Sequence, residues 1–336
     1  MNALYETENK KQTDEWNEQE VVSDEPVESF SKPEIKTWDD MKIEPDILRS
    51  IYAYGFEDPS EIQKRAIPPM KESRDLIAQA PSGTGKTGAF VVGTLSHIEV
   101  SKKTTQAIVL APTHELASQI CNVFHNLSEC MGGITIRKVL GGTSVMDEIR
   151  DLQANPPHIV VGCTGRVYDM MKRRALSTRN VKICVLDEAD EMLSVGFKDQ
   201  MYNIFQQLPP NVQIALFSAT MPPSMLQLTS KFMRDPVKIT MLPQDLNLDG
   251  IDQYYVAMND DNDKLDTLRD LFSKLTISQT IIYANDVRRV KDLYDMMYKE
   301  GYAVCCIHRE MTKQERNDVI SIFMKFFFSN FGCNIF

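Results

Sequence analysis

The stretch Leu76-Ile77-Ala78-Gln79-Ala80-Pro81-Ser82-Gly83-Thr84-Gly85-Lys86-Thr87 decides the fold of the first part of the chain. Its apolar start is typical of a buried strand, and residues 88–92, Gly-Ala-Phe-Val-Val, are typical of a helix. Two glycines allow positive φ angles, so successive backbone N–H groups can turn inward and bind phosphate oxygens at the positive end of the helix. The pattern therefore predicts a phosphate-binding loop.

The phosphate-binding loop predicts specific roles for two of its residues. Lys86 would reach the β and γ phosphates of a bound nucleotide, and the Thr87 hydroxyl would bind Mg²⁺. The pattern departs from G-x-x-x-x-G-K-[ST] at its first position, so a surface turn that matches by chance is the alternative; the flanking strand and helix favour the loop. The predicted nucleotide contacts here are Ala80, Ser82, Gly83, Thr84, Gly85, Lys86 and Thr87.

The bulk composition is that of an ordinary soluble protein with two domains, because the chain has 336 residues with 43% hydrophobic and 25% charged side chains. No apolar run approaches the roughly eighteen residues that span a membrane, so no membrane partner is expected. The seven cysteines are scattered without a C-x-x-C pair. We therefore expect reduced thiols, no zinc site and a cytoplasmic location, with the nucleus as the alternative.

The net charge of −10 is unevenly distributed. Residues 1–36 hold ten Asp or Glu and four Lys, so this segment carries −6 and the rest of the chain only −4. Its polar composition without a sustained period predicts a disordered acidic tail. The remainder can still bind nucleic acid through local basic patches and backbone amides.

Short apolar runs recur along the chain, each followed by polar residues and in most cases by a helical segment. Besides residues 76–78, they cover 107–110, 158–161, 182–186 and 213–217. This alternation predicts an α/β fold with a parallel sheet covered on both faces. Ligands of such sheets bind at the carboxyl ends of the strands, where all the candidate motifs lie.

Three further motifs complete the candidate site. Gln63 follows Ser60, which would cap a helix, and its amide could read an adenine edge. Asp187 and Glu188 end a predicted strand; they could cap a helix, or Asp187 could hold hydrated Mg²⁺ while Glu188 deprotonates an attacking water. Ser218 and Thr220 end the next strand and could sense the phosphates.

In that order Gln63, Lys86, Asp187 and Ser218 resemble the motifs of the DEAD-box family of ATP-dependent RNA helicases, from about Trp38 to about Ile322. The resemblance implies a RecA-like P-loop domain, ATP and Mg²⁺ as cofactors, RNA as partner, and catalytic roles for Lys86, Asp187 and Glu188. It places Trp38 and Phe56 in the adenine pocket, although buried structural aromatics are the alternative. Residues 51–56, Glu191 and residues 231–236 resemble the members that act in translation initiation and their exon-junction relative, which implies initiation or RNA-processing proteins as partners.

The resemblance also implies RNA contacts on three stretches, with departures from the family pattern. His114 stands where an arginine is usual, and a neutral histidine cannot make the charge-assisted phosphate contact of an arginine. Cys163-Thr164 stands where T-P is usual. No base-reading element is apparent, so no DNA specificity is expected. The implied RNA contacts are Pro112, Thr113, Gly141, Gly142, Thr164, Gly165 and Arg166.

The predicted domains are the tail 1–36, a RecA-like domain 37–242, a linker 243–250 and an incomplete second RecA-like domain 251–322 with strands near 254–256, 280–283 and 303–306. Residues 323–336, with six of the fifteen phenylalanines, are predicted to be an aberrant tail.

The family's H-R-x-G-R-x-x-R motif is absent, so impaired catalysis is expected. The alternative is a non-catalytic ATP- or RNA-binding fragment that competes with a full-length relative; a small-molecule P-loop kinase would not need the ordered motif set.

Overall fold

The computed structural model describes residues 35–193, 198–222, 225, 229, 231–241, 252, 254–258, 260, 263–275, 280–328 and 334–335. The chain forms two compact units, residues 1–248 and 249–336, called the first and second unit below. The predicted linker and all of the predicted acidic tail except residues 35 and 36 lie outside the described residues. Within the described part, no helix is both long and apolar enough to cross a membrane.

The first unit contains a seven-stranded, wholly parallel sheet with the strand order β3-β4-β2-β5-β6-β1-β7. Its strands are β1 (Leu76–Gln79), β2 (Ala107–Leu110), β3 (Ile136–Val139), β4 (Ile159–Gly162), β5 (Ile183–Leu186), β6 (Gln213–Ser218) and β7 (Val237–Thr240). A 3₁₀ helix covers Asp39–Met41, and the α-helices described in this unit are α1 (Pro45–Ala53), α2 (Glu61–Lys71), α3 (Lys86–Leu95), α4 (His114–Leu127), α5 (Val145–Ala154), α6 (Thr164–Lys172), α7 (Ala189–Met192) and α8 (Lys198–Phe205).

Both faces of this sheet are covered, as the continuous apolar strands predicted. Alternate strand residues enter two separate cores: Val109 and Phe217 pack on one side, whereas Ile108 and Leu216 pack on the other. Side chains that are buried on both faces explain why these strands read as unbroken apolar runs. The parallel register, for example Ala78 beside Phe217, brings the carboxyl ends of the strands to one edge.

That edge carries the motifs. Gly83 and Gly85 have φ angles of +82° and +99°, so the loop between β1 and α3 uses the left-handed conformations expected of them. Helix α3 begins directly at Lys86. Ser60 precedes the first residue of α2, as predicted for a helix cap.

The second unit contains a three-stranded parallel sheet with the order β8-β10-β9. Its small core forms around Val290, Leu293 and Met297. The strand predicted near 254–256 was wrong: these residues are irregular, and Tyr254 and Tyr255 are 89% and 92% exposed, so no packing favours an extended pairing. The elements described here are α9 (Asp263–Lys274), β8 (Thr280–Ile281), α10 (Val287–Lys299), β9 (Val304–Cys305), α11 (Lys313–Phe328) and β10 (Asn334–Ile335).

Helix α11 crosses Ile322, the residue at which the resemblance was expected to stop, without a break. Residues 334 and 335 of the predicted aberrant tail form β10, the central strand of the small sheet. The predicted domain boundary at residue 322 thus lies inside helix α11 and does not coincide with the end of a helix or strand. The boundary itself stays a prediction.

Candidate functional site

Lys86 lies buried at the carboxyl edge of the first unit's sheet. Its Nζ donates a hydrogen bond to the Ala80 carbonyl oxygen at 2.9 Å and lies 3.9 Å from Glu188 Oε1. The Ala80 N–H in turn donates to the Ser218 carbonyl oxygen at 3.0 Å. The lysine thus contacts its own loop and a carboxylate, which holds its charge where a phosphate would bind.

Asp187 directly follows β5 and is only 3% exposed. Burial, together with the nearby charge of Glu188, raises the pKa of the Asp187 carboxyl to about 6, although Lys86 opposes the shift. Glu188 adopts a left-handed φ of +49°, and its N–H donates to Asp187 Oδ1 at 3.1 Å. A desolvated Asp187 carboxylate beside the partly exposed Glu188 carboxylate favours a bound cation over a simple helix cap.

The residues present fit Mg²⁺. Thr87 lies in the first turn of α3 and presents a hydroxyl, and the buried Asp187 carboxylate is a group that a cation would stabilise in its charged form. Among the described residues no cluster of three or more His, Cys, Asp or Glu could hold a metal. This suits Mg²⁺, which is usually bound by one or two carboxylates together with water and substrate phosphates.

Ser218 and Thr220 are connected to the acidic motif through Asp190. Thr220 Oγ1 donates to Asp190 Oδ2 at 2.5 Å, and Ser218 Oγ donates to the Thr220 carbonyl oxygen at 2.7 Å. Burial disfavours the charged form of Asp190, but hydrogen bonds from Thr220 and Ser218 outweigh it, so the pKa of this carboxyl lies below its ordinary value. No role was predicted for Asp190. In the structure its carboxylate, in α7, accepts the hydrogen bond from Thr220 and so connects α7 to the end of β6.

Gln63 is buried beside the phosphate-binding loop. Its Oε1 accepts from the Ser60 N–H at 2.7 Å, and its Nε2 donates to the Gly85 carbonyl oxygen at 3.3 Å. An amide has two donor hydrogens and two acceptor lone pairs, so one of each remains for an adenine edge. A Cβ added to Gly88 would approach Gln63 Nε2 to 2.7 Å, which shows how closely α3 packs here.

Trp38 and Phe56 stack with ring centroids 5.9 Å apart and planes inclined by 8°. Trp38 is fully buried in the core, and its Nε1 has no hydrogen-bond partner among the described residues. Phe56 is only partly buried. Phe56 is therefore the more accessible ring of the pair, and contact of either ring with adenine stays a prediction.

The candidate RNA contacts follow three strands that are neighbours in the sheet. Pro112 and Thr113 come after β2, the glycine pair after β3, and the Thr164–Arg166 stretch after β4. Thr113 caps α4 and accepts from the Leu116 N–H at 3.2 Å. The nucleotide candidates on β1, β5 and β6 thus occupy one part of the edge, and the RNA candidates occupy the adjoining part.

Of the glycine pair, Gly141 packs against a neighbouring loop, whereas Gly142 is exposed and a Cβ there would meet nothing within 4 Å. A Cβ on Gly141 would lie 3.3 Å from His114 Nε2, so the loops after β2 and β3 touch. Gly142 has a φ of +86°. Arg166 donates to both the hydroxyl and the carbonyl oxygen of Thr143 at 3.1 Å and forms a mostly buried ion pair with Glu148. Arg166 therefore fixes the loop that carries the glycine pair.

Thr164 is buried at the start of α6, whereas Gly165 faces helix α8. A Cβ on Gly165 would lie 3.6 Å from Gln200 Oε1, an acceptor atom that is buried and has no partner among the described residues. Sequence reasoning did not identify Gln200, because a glutamine in a helix carries no motif. Its position beside the candidate RNA residues emerges only from the packing of α6 against α8.

Comparisons with known proteins agree with this geometry. A model of the DEAD/DEAH box helicase family matches residues 60–228, and one of the helicase conserved C-terminal domain matches residues 263–329. The ATP-dependent RNA helicase eIF4A of Schizosaccharomyces pombe is 47% identical over 90% of this chain and 76% of that protein.

Solved structures are similar as well. S. cerevisiae Dbp5 bound to RNA and ADP BeF3 has a TM-score of 0.79 and 33% identity, over 89% of this chain and 76% of that one. A DEAD box protein from Methanococcus jannaschii has a TM-score of 0.59 and 30% identity, over 90% of this chain and 81% of that one. With the ordered motifs gathered at one edge of a RecA-like sheet, these matches show that the chain belongs to the DEAD-box family of ATP-dependent RNA helicases.

Proposed function

We propose that this chain binds ATP and Mg²⁺ at the loop after β1, binds RNA along the adjoining edge formed by β2, β4 and β3, and couples the two by ATP hydrolysis. The observation that carries the proposal is the group formed by the buried Lys86 and Asp187 and the partly exposed Glu188, with Lys86 Nζ 3.9 Å from Glu188 Oε1. The family relatives support it, since the eIF4A relative is an ATP-dependent RNA helicase and the Dbp5 structure contains RNA and ADP BeF3.

Lys86 and the loop hold the phosphates. The Lys86 ammonium exchanges its hydrogen bond with the Ala80 carbonyl for phosphate oxygens, and the N–H groups at the start of α3 point toward the same charges. Gln63 keeps one amide hydrogen and one lone pair for adenine, and Phe56 offers its ring face. These contacts orient the nucleotide against the acidic pair.

Asp187 and Thr87 would hold Mg²⁺, which when bound neutralises charge on the phosphate oxygens. Glu188 stands next to Asp187 with its backbone fixed by the bond to Asp187 Oδ1, and its carboxylate accepts a proton from the attacking water. Thr220 and Asp190 hold the end of β6 against the acidic motif. Ser218 thereby connects the phosphate site to the body of the sheet.

RNA binding would rest mainly on phosphate contacts by backbone amides and polar side chains, so it should be weak and strongly salt dependent. Gly141 and Gly142 carry no side chain and permit a close approach of RNA to the backbone. By similarity to eIF4A we further propose a role in translation initiation, in the cytoplasm, with partner proteins of that process.

We also propose that a polypeptide of these 336 residues hydrolyses ATP slowly, because its sequence contains no H-R-x-G-R-x-x-R motif. An arginine that stabilises the transferring phosphate typically accelerates hydrolysis by about 10³- to 10⁵-fold. Neither Lys86 nor Glu188 can supply that charge from its place beside the β1 loop. The second candidate function is that of a non-catalytic fragment that competes with a full-length relative for RNA. It too is suggested by the lack of the H-R-x-G-R-x-x-R motif in these 336 residues.

RNA-stimulated phosphate release tests these proposals. The parent chain should release phosphate slowly but above background, RNA should increase the rate, and Glu188→Gln should abolish it, whereas Glu57→Gln, which alters an exposed carboxylate, should not. A parent rate equal to that of S. pombe eIF4A would refute slow hydrolysis. ATP binding without any release, or full activity of Glu188→Gln, would refute the hydrolase and favour the fragment.

A further inference from the structure

A pocket of about 380 Å³ lies at the amino-terminal edge of the first unit's sheet. Its walls come from segments that precede strands: Ser73 stands ahead of β1, Gln106 ahead of β2, residues 179–182 ahead of β5, and Asn211 ahead of β6. Because all seven strands are parallel, these segments lie at the edge opposite the phosphate-binding loop. The pocket is therefore separate from the candidate nucleotide and RNA site.

Positive charge converges on this pocket. Lys102, Arg179 and Lys182 line it, and no carboxylate is found among its described lining residues. Glu99, just behind the wall, accepts from Lys102 Nζ at 2.7 Å and from Lys182 Nζ at 2.5 Å, and these bonds hold the pKa of Glu99 at about 2. Glu99 thus neutralises only one of the three positive charges at the pocket. This local excess of positive charge occurs in a chain whose net charge is −10.

The walls of the pocket are held in place by a buried side chain. Gln106 Nε2 donates to the carbonyl oxygens of Glu99 and Lys102 at 2.9 and 3.0 Å, and its Oε1 accepts from the Glu99 N–H at 3.0 Å. Lys182 Nζ also donates to the His97 carbonyl oxygen at 2.9 Å. The segment from Glu99 to Lys102 is therefore fixed before any ligand arrives, which lowers the entropy cost of binding.

Arg179 is the third cation of the pocket and lies on the same segment as Lys182. Within the described part of the chain no carboxylate lies at ion-pair distance from its guanidinium, and this lining residue is exposed. A guanidinium binds two oxygens of a phosphate at once, whereas each lysine adds a compact point charge. Three cations offset by one carboxylate leave a charge of +2 at the pocket, which matches two linked phosphates better than a single carboxylate.

We propose that this pocket binds a small phosphorylated molecule that carries a diphosphate group, through Lys102, Arg179 and Lys182. Its volume falls within the range of about 300 to 1,000 Å³ that is typical of small-ligand sites. RNA is a poorer match, because its phosphates are spread singly along an extended strand, whereas these three cations converge on one concave site. The proposal is independent of the function proposed for the opposite edge.

Inorganic pyrophosphate is the probe, measured by equilibrium dialysis against the full chain carrying Lys86→Ala, so that the β1 loop does not compete. We expect saturable binding that Arg179→Ser weakens by roughly tenfold or more, since a hydrogen bond to a charged group contributes about 1.5 to 3 kcal/mol. Lys102→Ser should weaken it similarly. Arg49→Ser, which removes an exposed arginine of α1 outside the pocket, is the matched control and should bind as before.

Each other outcome overturns the proposal. Absence of saturable binding, or equal affinities of the Arg179→Ser and Arg49→Ser chains, would show that the pocket is not the site. Equal displacement by sulfate at matched ionic strength would show an adventitious anion only. Binding of a short single-stranded RNA that is weakened by Arg179→Ser but not displaced by pyrophosphate would identify RNA as the ligand instead. If Arg179→Ser unfolds, Lys102→Ser decides.

Discussion

Gln63 donates its side-chain amide to the backbone carbonyl of Gly85, with 3.3 Å between Nε2 and the oxygen, and thereby joins helix α2 to the phosphate-binding loop. The same amide accepts from the Ser60 N–H at 2.7 Å. The side chain proposed to read adenine therefore also fixes the loop proposed to hold the phosphates. Base recognition and phosphate binding share one structural element.

The two glycines of the loop allow this contact to be isolated. Both have positive φ, but a Cβ on Gly85 would lie 2.8 Å from Gln63 Nε2 and 2.8 Å from Ser60 Oγ, whereas a Cβ on Gly83 would meet nothing within 4 Å. We predict that Gly85→Ala lowers the thermal unfolding midpoint of the nucleotide-free chain clearly more than Gly83→Ala does, since both replacements share the backbone strain. Equal decreases would show that the close packing of Gln63 and Ser60 against Gly85 does not contribute to stability.

Asp187 should destabilise the nucleotide-free protein at neutral pH. Its pKa, raised by burial to about 6 from an ordinary 3.8, means that the stability present below pH 4 is lost as the pH rises through 6. A shift of this size corresponds to about 3 kcal/mol. We therefore predict that Asp187→Asn is more stable than the parent at pH 7 in chelator, although its function is lost.

The pH dependence distinguishes this cause from a general gain in stability. The advantage of Asp187→Asn, measured by denaturant unfolding without nucleotide, should grow between pH 4 and pH 7. Glu57→Gln, which neutralises an exposed carboxylate in the same unit, should follow the parent throughout. A difference that stays constant over this pH range would mean that Asp187 is not held in a desolvated site.

His114 occupies a position where the family pattern has arginine, and it lies against Gly141 in the candidate RNA region. Arginine stays charged at every relevant pH and binds phosphate through two donors, whereas histidine does not. We predict that His114→Arg tightens binding of single-stranded RNA near neutral pH and steepens the logarithmic salt dependence by about 0.7, the value for one more neutralised phosphate.

Helix α4 supplies the control for this prediction. His125 lies exposed in the last turn of the same helix, far along it from the strand ends. His125→Arg adds the same charge without reaching the candidate RNA edge, so it should leave the salt dependence nearly unchanged. If both replacements strengthened RNA binding equally, the effect would be one of overall charge and the site would lie elsewhere.

Sequence patterns predicted the five inner strands of the large sheet because side chains buried on both faces give unbroken apolar runs. The strands β3 and β7 were missed. They form the two edges of the sheet and read Ile-Arg-Lys-Val and Val-Lys-Ile-Thr, with polar residues in half of their positions. An edge strand has less of its surface covered, so its sequence lacks the signal of a buried strand.

The candidate site was predictable where a motif requires particular backbone geometry, as at Gly83 and Gly85, or where a strand ends in charged residues, as at Asp187. The hydrogen bonds and packing contacts between side chains could not be predicted from the sequence. The bond from Thr220 to Asp190 and the position of Gln200 beside Gly165 depend on how distant segments pack. No local pattern records such contacts, so they became visible only in the structure.

Lys86 is proposed to hold the phosphates of ATP at the carboxyl edge of the first unit. The most direct test of this role is the ATP affinity of the Lys86→Ala chain in Mg²⁺, with Lys172→Ala, an exposed lysine at the end of α6, as control. Loss of a charged hydrogen-bond donor predicts an affinity lowered by roughly ten- to a hundredfold or more, in a chain that is still folded. An ATP affinity equal to that of the parent and of Lys172→Ala would show that Lys86 does not hold the phosphates.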